Sequence, residues 1–132
     1  MYLRKSEILL KELLKDFRIL YLTGARQVGK TTLARKIAKD MGMQYISLDD
    51  KTALASARYD PHGFLDSLKD QPVVLDEFQY APELIGAIKL ASDLLPLDER
   101  GRFFLTGSAD IFKSAKTQEA VPGHMARMDL YP

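Results

Sequence analysis

A short segment near the amino terminus has the residue types and spacing of a phosphate-binding loop. Residues 24–31 match the pattern G-x-x-x-x-G-K-S/T, and in order they are Gly24, Ala25, Arg26, Gln27, Val28, Gly29, Lys30 and Thr31. An apolar run at residues 19–22 precedes the loop, and a helical pattern begins at Lys30. A loop between a strand and a helix gathers backbone N–H groups and the positive helix end around an anion. The segment therefore predicts a binding site for a nucleoside triphosphate.

The side chains at the end of this loop have defined tasks in such a site. The Lys30 ammonium can reach the β and γ phosphates, and the Thr31 hydroxyl can hold Mg²⁺. Thr32 follows directly and completes the predicted cofactor-binding set, residues 24–32. The alternative is a glycine turn that merely precedes an ordinary helix, but the strand pattern before the loop favours phosphate binding.

A second motif is an apolar run that ends in two acids. Residues 72–77 read Pro-Val-Val-Leu-Asp-Glu, and the carboxyl ends of buried parallel strands face the crevice where α/β sheets bind ligands. Asp76 would hold Mg²⁺ directly or through water, because this ion prefers oxygen ligands. Glu77 is placed to polarise an attacking water, as hydrolysis of a triphosphate requires. In isolation the motif would be a strand that enters a turn; downstream of a phosphate loop it favours the catalytic interpretation.

A third apolar run, residues 102–108, ends in hydroxyl groups. Gly107 allows a tight exit from this predicted strand. In P-loop ATPases with an extra strand between the phosphate loop and the acidic strand, such a polar side chain senses the γ-phosphate. Thr106 and Ser108 are both candidates for this sensor. The alternative is that either hydroxyl simply caps a helix beginning at Ala109.

Composition sets the broad class of the protein. The 132 residues fit a single domain, and the apolar content of 46% and charged content of 28% are ordinary for a soluble globular protein. The absence of cysteine from the sequence excludes disulfides and thiolate metal sites. The sequence shows neither an apolar stretch of membrane-spanning length nor a signal-peptide core. We therefore expect a cytoplasmic protein with no membrane partner.

Charge is distributed unevenly along the chain. Residues 1–39 carry ten Lys/Arg and three Asp/Glu, whereas the remainder carries nine and fifteen. Such asymmetry can mark a nucleic-acid-binding face. The favoured alternative is that the basic residues line the solvent sides of two helices. Because no run of basic residues is interleaved with aromatic ones, the sequence does not support a nucleic-acid partner.

Hydrophobic periodicity predicts strands that alternate with helices. The predicted helices cover residues 6–16, 30–41, 52–59, 63–68 and a segment from 84 that Pro96 stops, followed by a weak helix at 109–116. The predicted strands cover residues 17–23, 44–48, 73–76 and 102–106, with a fifth that begins at 129–131. This alternation indicates an α/β fold with parallel strands joined by right-handed crossovers.

Taken together, the motifs resemble those of bacterial and archaeal AAA-type ATPases that carry a carboxyl-terminal nuclease-like domain. The matching segments are Gly-Ala-Arg-Gln-Val-Gly-Lys-Thr-Thr-Leu (24–33), Ser-Leu-Asp-Asp (47–50), Leu-Asp-Glu-Phe-Gln (75–79), Ala-Pro-Glu-Leu (81–84) and Leu-Thr-Gly-Ser-Ala (105–109). The resemblance implies a three-layer α/β/α P-loop NTPase with a mainly parallel sheet in the order 5-1-4-3-2. It also implies ATP as the nucleotide and Mg²⁺ as the metal.

Particular site roles follow from the same resemblance. It places Lys30 and Thr31 on phosphate and Mg²⁺, Asp76 on Mg²⁺ and Glu77 on the attacking water. The γ-phosphate sensor would be Thr106 or Ser108.

The chain departs from this family in two respects. Family members continue well beyond residue 132, so we expect this chain to hold only the ATPase part, with a missing carboxyl-terminal domain or self-association as partners. The family also carries a Gly-Arg pair before the last strand, whereas here Gly123 precedes His124 and the nearest arginine is Arg127. An arginine that contacts the γ-phosphate therefore has no defined position, and Arg26 is a further candidate.

The leading hypothesis is ATP binding with slow, Mg²⁺-dependent hydrolysis. Glu77 would activate water, while Lys30 and Mg²⁺ would absorb the charge that develops on the phosphate. An alternative of another class is a nucleotide-dependent switch or interaction module, or a fragment without hydrolysis of its own. A small-molecule kinase is a third reading, but the Arg-rich lid that it would need is not apparent in the sequence.

Overall fold

The computed structural model describes residues 2–24, 29–109 and 125–130. Within them a five-stranded sheet has the order β2-β3-β4-β1-β5, and the paired strands are parallel. The strands are β1 (Ile19–Gly24), β2 (Gln44–Ser47), β3 (Val73–Asp76), β4 (Phe103–Gly107) and β5 (Met125–Leu130). Read from the other edge, this is the predicted order 5-1-4-3-2. The structure therefore confirms the predicted α/β fold, which is that of P-loop NTPases.

The described helices flank this sheet. They are α1 (Tyr2–Asp16), α2 (Lys30–Met41), α3 (Lys51–Tyr59), α4 (Pro61–Asp66) and α5 (Leu84–Asp93), with a short 3₁₀ turn at Phe78–Tyr80. Among the described helices, we find none that combines the length and the apolar character needed to cross a bilayer.

Alternate residues of the central strands enter two separate cores. On one face Tyr21 and Leu105 pack with residues of α3, α4 and α5. On the other face Leu20 and Phe104 pack with residues of α1 and α2, among them Ile37. Because successive side chains of a strand point to opposite faces, the continuous apolar runs of β1 and β4 fill both cores at once. This arrangement gives the three α/β/α layers that the family resemblance implies.

Local capping explains one boundary of each of the helices α2, α3 and α4. The bounds of α2 and β3 were predicted correctly, and Gly42 ends α2 in the left-handed region with its N–H on the Ala38 carbonyl. Asp50 and Asp60 cap α3 and α4 by accepting hydrogen bonds from the backbone at the third residue along. The Asp60 cap starts α4 at Pro61, earlier than predicted.

The largest differences from the predicted elements lie at the two ends of the chain. Helix α1 begins at Tyr2 rather than at residue 6, and β5 begins at Met125 rather than at residue 129. Among the described residues β5 pairs only with β1, and two of its residues, Ala126 and Leu130, are buried. Its apolar pattern is correspondingly weak. The helix predicted at residues 109–116 lies almost entirely outside the described residues.

Arg18, the residue before β1, links the start of this strand to the end of α5 by hydrogen bonds. Its buried guanidinium donates hydrogen bonds to the carbonyl oxygens of Ser92, Pro96 and Leu97 at 3.2–3.3 Å. These carbonyls lie at or just after the last turn of α5, where a cation also interacts favourably with the helix dipole. Arg18 therefore stabilises the edge of the sheet opposite to the predicted site.

Truncation of a central-strand side chain should destabilise the fold strongly. Leu22 is fully buried beside the α1 and α2 core, so Leu22→Ala should lower the free energy of unfolding by about 2–5 kcal/mol. The control is Leu97→Ala, whose side chain is 88% exposed and should change stability by less than about 0.5 kcal/mol. Urea unfolding followed by circular dichroism measures both, and equal losses would contradict the assigned core.

Candidate functional site

The parallel strands bring their carboxyl ends to one edge of the sheet, where the predicted phosphate loop lies. Strand β1 ends at Gly24, and α2 begins at Lys30 after Gly29, whose φ of 85° is in the left-handed region. The backbone at this position favours glycine because a side chain there would be strained. The four intervening loop residues, Ala25, Arg26, Gln27 and Val28, lie outside the described residues.

Lys30 and Glu77 meet at this edge. The Nζ atom of Lys30 lies 3.9 Å from Oε1 of Glu77, and the two side chains are only 5% and 11% exposed. An ammonium removed from water needs a nearby anion, because burying an unpaired charge costs several kcal/mol. Thr31 and Thr32, in the first turn of α2, are exposed. The helix start thus presents one buried cation and two accessible hydroxyl groups.

Asp76, the last residue of β3, is held by hydroxyl groups from both neighbouring strands. The Thr106 hydroxyl of β4 donates to its Oδ1, and the Tyr45 hydroxyl of β2 donates to its Oδ2. The Glu77 backbone N–H lies 3.1 Å from Oδ1. Because Asp76 is 1% exposed, these donors replace the water that would otherwise solvate the carboxylate. The arrangement fixes the orientation of Asp76 at the edge of the sheet.

Glu77 adopts a backbone conformation that is unusual for a residue with a side chain. Its φ of 56° lies in the left-handed region, and it precedes the 3₁₀ turn. Its N–H also lies 3.3 Å from the Thr106 hydroxyl oxygen. A non-glycine residue held in this region costs of order 1–3 kcal/mol and persists only where its surroundings impose it. Such strain is common at functional sites.

The two sensor candidates have different surroundings. Thr106 is fully buried, and its hydroxyl contacts Asp76. Ser108 is half-buried, and its backbone N–H donates to the Gln79 side-chain oxygen at 3.2 Å while its carbonyl accepts from the Tyr21 hydroxyl at 3.1 Å. Of the two hydroxyls, that of Thr106 is therefore in contact with the acidic strand.

Of the two candidates for an arginine that contacts the γ-phosphate, Arg127 lies among the described residues. Arg127 lies on the edge strand β5, level with Tyr21 of β1, and its Nε is 2.9 Å from Oδ1 of Asp129. Arg26 and His124 lie outside the described residues.

Tyr45 and Gln79 contact Asp76 and Glu77, respectively. The sequence did not identify either of them as a site residue. The Arg35 guanidinium lies 5.0 Å from the centre of the Tyr45 ring. Burial, with a further contribution from the hydrogen bond to Asp76, raises the pKa of Tyr45 to about 12. Tyr45 therefore stays protonated at neutral pH and keeps donating to Asp76. The sequence held one signal for Tyr45, which is its position on β2. A side chain on a strand beside the acidic strand can reach the last residue of that strand.

The sheet order and the charged groups at its carboxyl edge define a P-loop NTPase-like α/β protein. Comparison with models of protein families then identifies residues 16–132 as an AAA domain. The chain belongs to this family, because the match covers most of its length. Membership supports nucleotide binding and ATPase activity.

Two further comparisons bear on the fold and on relatives. The chain is similar to the crystal structure of a DNA replication initiation factor, with a TM-score of 0.64 and 20% sequence identity. That match covers 96% of this chain but 45% of the other, so this chain spans less than half of that protein. At this identity the likeness shows the fold alone. A comparison with curated proteins gave no match, and the nuclease-like domain implied by the resemblance remains a prediction.

Tyr45→Phe should remove an alkaline titration. Since the pKa of folded Tyr45 is raised to about 12 from about 10 in the unfolded chain, its contribution to stability is complete below pH 10 and is lost as the pH rises through 12. The difference in tyrosinate absorbance between wild type and Tyr45→Phe should have a midpoint near pH 12. The matched control is Tyr59→Phe, which removes a ring that is 92% exposed and should leave the absorbance change near pH 12 in place. Loss of the absorbance change near pH 12 in both variants, or in neither, would contradict the contact of Tyr45 with Asp76.

Proposed function

We propose that the chain binds ATP at the carboxyl edge of its sheet and hydrolyses it slowly with the help of Mg²⁺. The observation that carries the proposal is the approach of Lys30, at the start of the loop helix, to within 3.9 Å of Glu77, at the end of the acidic strand. A triphosphatase needs a cation and a water-polarising carboxylate at one place. Membership of the AAA family supports ATP as the nucleotide.

Lys30 and Glu77 would each gain a new partner when the nucleotide binds. The Lys30 ammonium would bind the β and γ phosphates and stabilise the negative charge that develops during hydrolysis. Its attraction to Glu77 would then be shared with phosphate, which leaves the Glu77 carboxylate able to accept a hydrogen bond from the attacking water. Both groups are almost buried, so their interactions are screened less by solvent than those of surface charges.

The residues present also fit Mg²⁺. Thr31 and Asp76 would hold the ion, which would supply positive charge against the negative charge of the phosphates. Mg²⁺ bound to a nucleotide takes one or two protein carboxylates and keeps several waters. The absence of a cluster of three His, Cys, Asp or Glu side chains from the described part of the chain is compatible with such a site. The exposed Thr31 hydroxyl and the oriented Asp76 carboxylate supply the hard oxygen donors.

Thr106 is the better of the two sensor candidates. Its hydroxyl contacts both the Asp76 carboxylate and the Glu77 N–H, so a change at the γ-phosphate would reach the acidic strand directly. Turnover should be slow, because an arginine finger contributes orders of magnitude in rate and the family's Gly-Arg pair is replaced here by Gly123 and His124.

Two substitutions should separate binding from hydrolysis. Lys30→Ala should weaken ATP binding roughly 10- to 100-fold, because it removes charge-assisted hydrogen bonds to phosphate. Glu77→Gln should preserve ATP affinity and lower turnover by about 10²- to 10⁴-fold, because it removes the group that activates water. Calorimetric titration with ATP and steady-state phosphate release, each with and without Mg²⁺, measure these effects.

Matched controls come from the same part of the chain. Lys39→Ala removes an exposed lysine from α2, and Glu83→Gln neutralises an exposed acid next to α5. Both controls should behave as wild type. Binding without turnover in wild type would contradict hydrolysis and favour the nucleotide-dependent switch. No binding by wild type would contradict both functions.

A further inference from the structure

Gln79 joins the ends of two strands at the candidate site. It lies in the 3₁₀ turn after β3, and its side-chain Nε2 is 3.3 Å from Oε1 of Glu77. Its side-chain Oε1 accepts the Ser108 backbone N–H at 3.2 Å. Ser108 directly follows β4. A single amide group therefore connects the proposed water-activating carboxylate to the backbone beyond the neighbouring strand.

Only one orientation of the Gln79 amide satisfies both partners. The Glu77 carboxylate can only accept a hydrogen bond when ionised, and the Ser108 N–H can only donate one. With the amide reversed, oxygen would face oxygen and nitrogen would face nitrogen at both contacts. The two neighbours thus fix the amide, so that a displacement of Ser108 would be transmitted to Glu77.

Gly107 provides the space that this connection needs. A Cβ atom at residue 107 would lie 2.5 Å from the Gln79 Oε1 and 2.5 Å from the Tyr21 hydroxyl oxygen. Such distances are well inside van der Waals contact, so any side chain at 107 would displace the Gln79 amide, the Tyr21 ring or both. The glycine is therefore matched to the position of the amide as well as to the strand exit.

We propose that Gln79 is a positioning residue that holds the Glu77 carboxylate toward Lys30 and ties it to the backbone at the end of β4. The proposal rests on the proposed function for its kinetic consequence, because Glu77 matters to turnover only if the chain hydrolyses ATP. Its structural content, the linkage from Glu77 through Gln79 to Ser108, stands independently of hydrolysis. Gln79 contacts the proposed catalytic carboxylate and would itself not touch the phosphates.

The kinetic test uses Gln79→Met, which keeps the length of the side chain and removes both hydrogen bonds. Turnover should fall about tenfold, the effect expected for losing one or two ordinary hydrogen bonds, while the Kd for ATP stays within about twofold. Gln79→Glu would keep an acceptor for Ser108 but place a second carboxylate against Glu77. Its turnover should fall at least as far as that of Gln79→Met, because the two carboxylates repel each other. The control is Gln71→Met, at an exposed glutamine.

A second measurement tests the linkage without relying on catalysis. In ¹H–¹⁵N spectra, Glu77→Gln should shift the side-chain NH₂ signals of Gln79, and Gln79→Met should speed hydrogen exchange at the Ser108 amide. Gly107→Ala should reproduce the faster exchange at Ser108. Gln71→Met should leave the exchange unchanged.

The two measurements distinguish failure of this proposal from failure of the proposed function. A tenfold loss of turnover with unchanged affinity, together with the spectral changes, supports the positioning role. Unchanged Gln79 signals and unchanged Ser108 exchange would overturn it even if wild type hydrolyses ATP, as would wild-type turnover in Gln79→Met. If wild type binds ATP without hydrolysis, the proposed hydrolysis fails, and the spectra alone decide for or against the linkage.

Discussion

Three charged groups, those of Lys30, Asp76 and Glu77, are buried at the carboxyl edge of the sheet, where little water can solvate them. Each must therefore find its compensation within the protein. Lys30 and Glu77 lie within ion-pair distance, and Asp76 accepts hydroxyl hydrogen bonds from the strands on either side. This requirement explains why the acidic strand lies between β2 and β4, which supply those hydroxyl groups.

The same requirement explains how a stable edge can still bind a ligand. The pairing of Lys30 with Glu77 satisfies both charges internally, yet a triphosphate would offer Lys30 more negative charge than one carboxylate does. The left-handed backbone at Glu77 and the near-complete burial of its charged side chain are local costs that the rest of the fold sustains. The two apolar cores on either face of β1 and β4 supply the stability that offsets these costs.

Much of this could be predicted from the sequence, because periodicity and strand-end chemistry are local signals. The apolar run of β3, followed by Asp76 and Glu77, predicted both the strand and the position of the two acids at its carboxyl end. Gly42 correctly marked the end of α2. The sheet order came from the family resemblance rather than from any local pattern. The predicted start of β5 was four residues too late, because an edge strand needs little continuous apolar sequence.

The contacts of Tyr45 and Gln79 could not be predicted for a different reason. A tyrosine on a strand and a glutamine in a turn are both common at ordinary positions, and neither type indicates a site by itself. Their roles depend on register: β2 and β3 pair so that Ser47 lies beside Asp76, and β4 ends where Ser108 meets the turn after β3. Such pairing between distant segments is visible only in three dimensions.

The most direct test of the account is to map where a non-hydrolysable ATP analogue binds. With Mg²⁺ present, ¹H–¹⁵N spectra should show the largest amide shifts at Gly29 to Thr32, at Asp76 and Glu77, and at Thr106 to Ser108. The amides of α3 and α4, on one face of the sheet, should shift little. Shifts confined to that face, or none at all at saturating nucleotide, would contradict a nucleotide site at the carboxyl edge of the sheet.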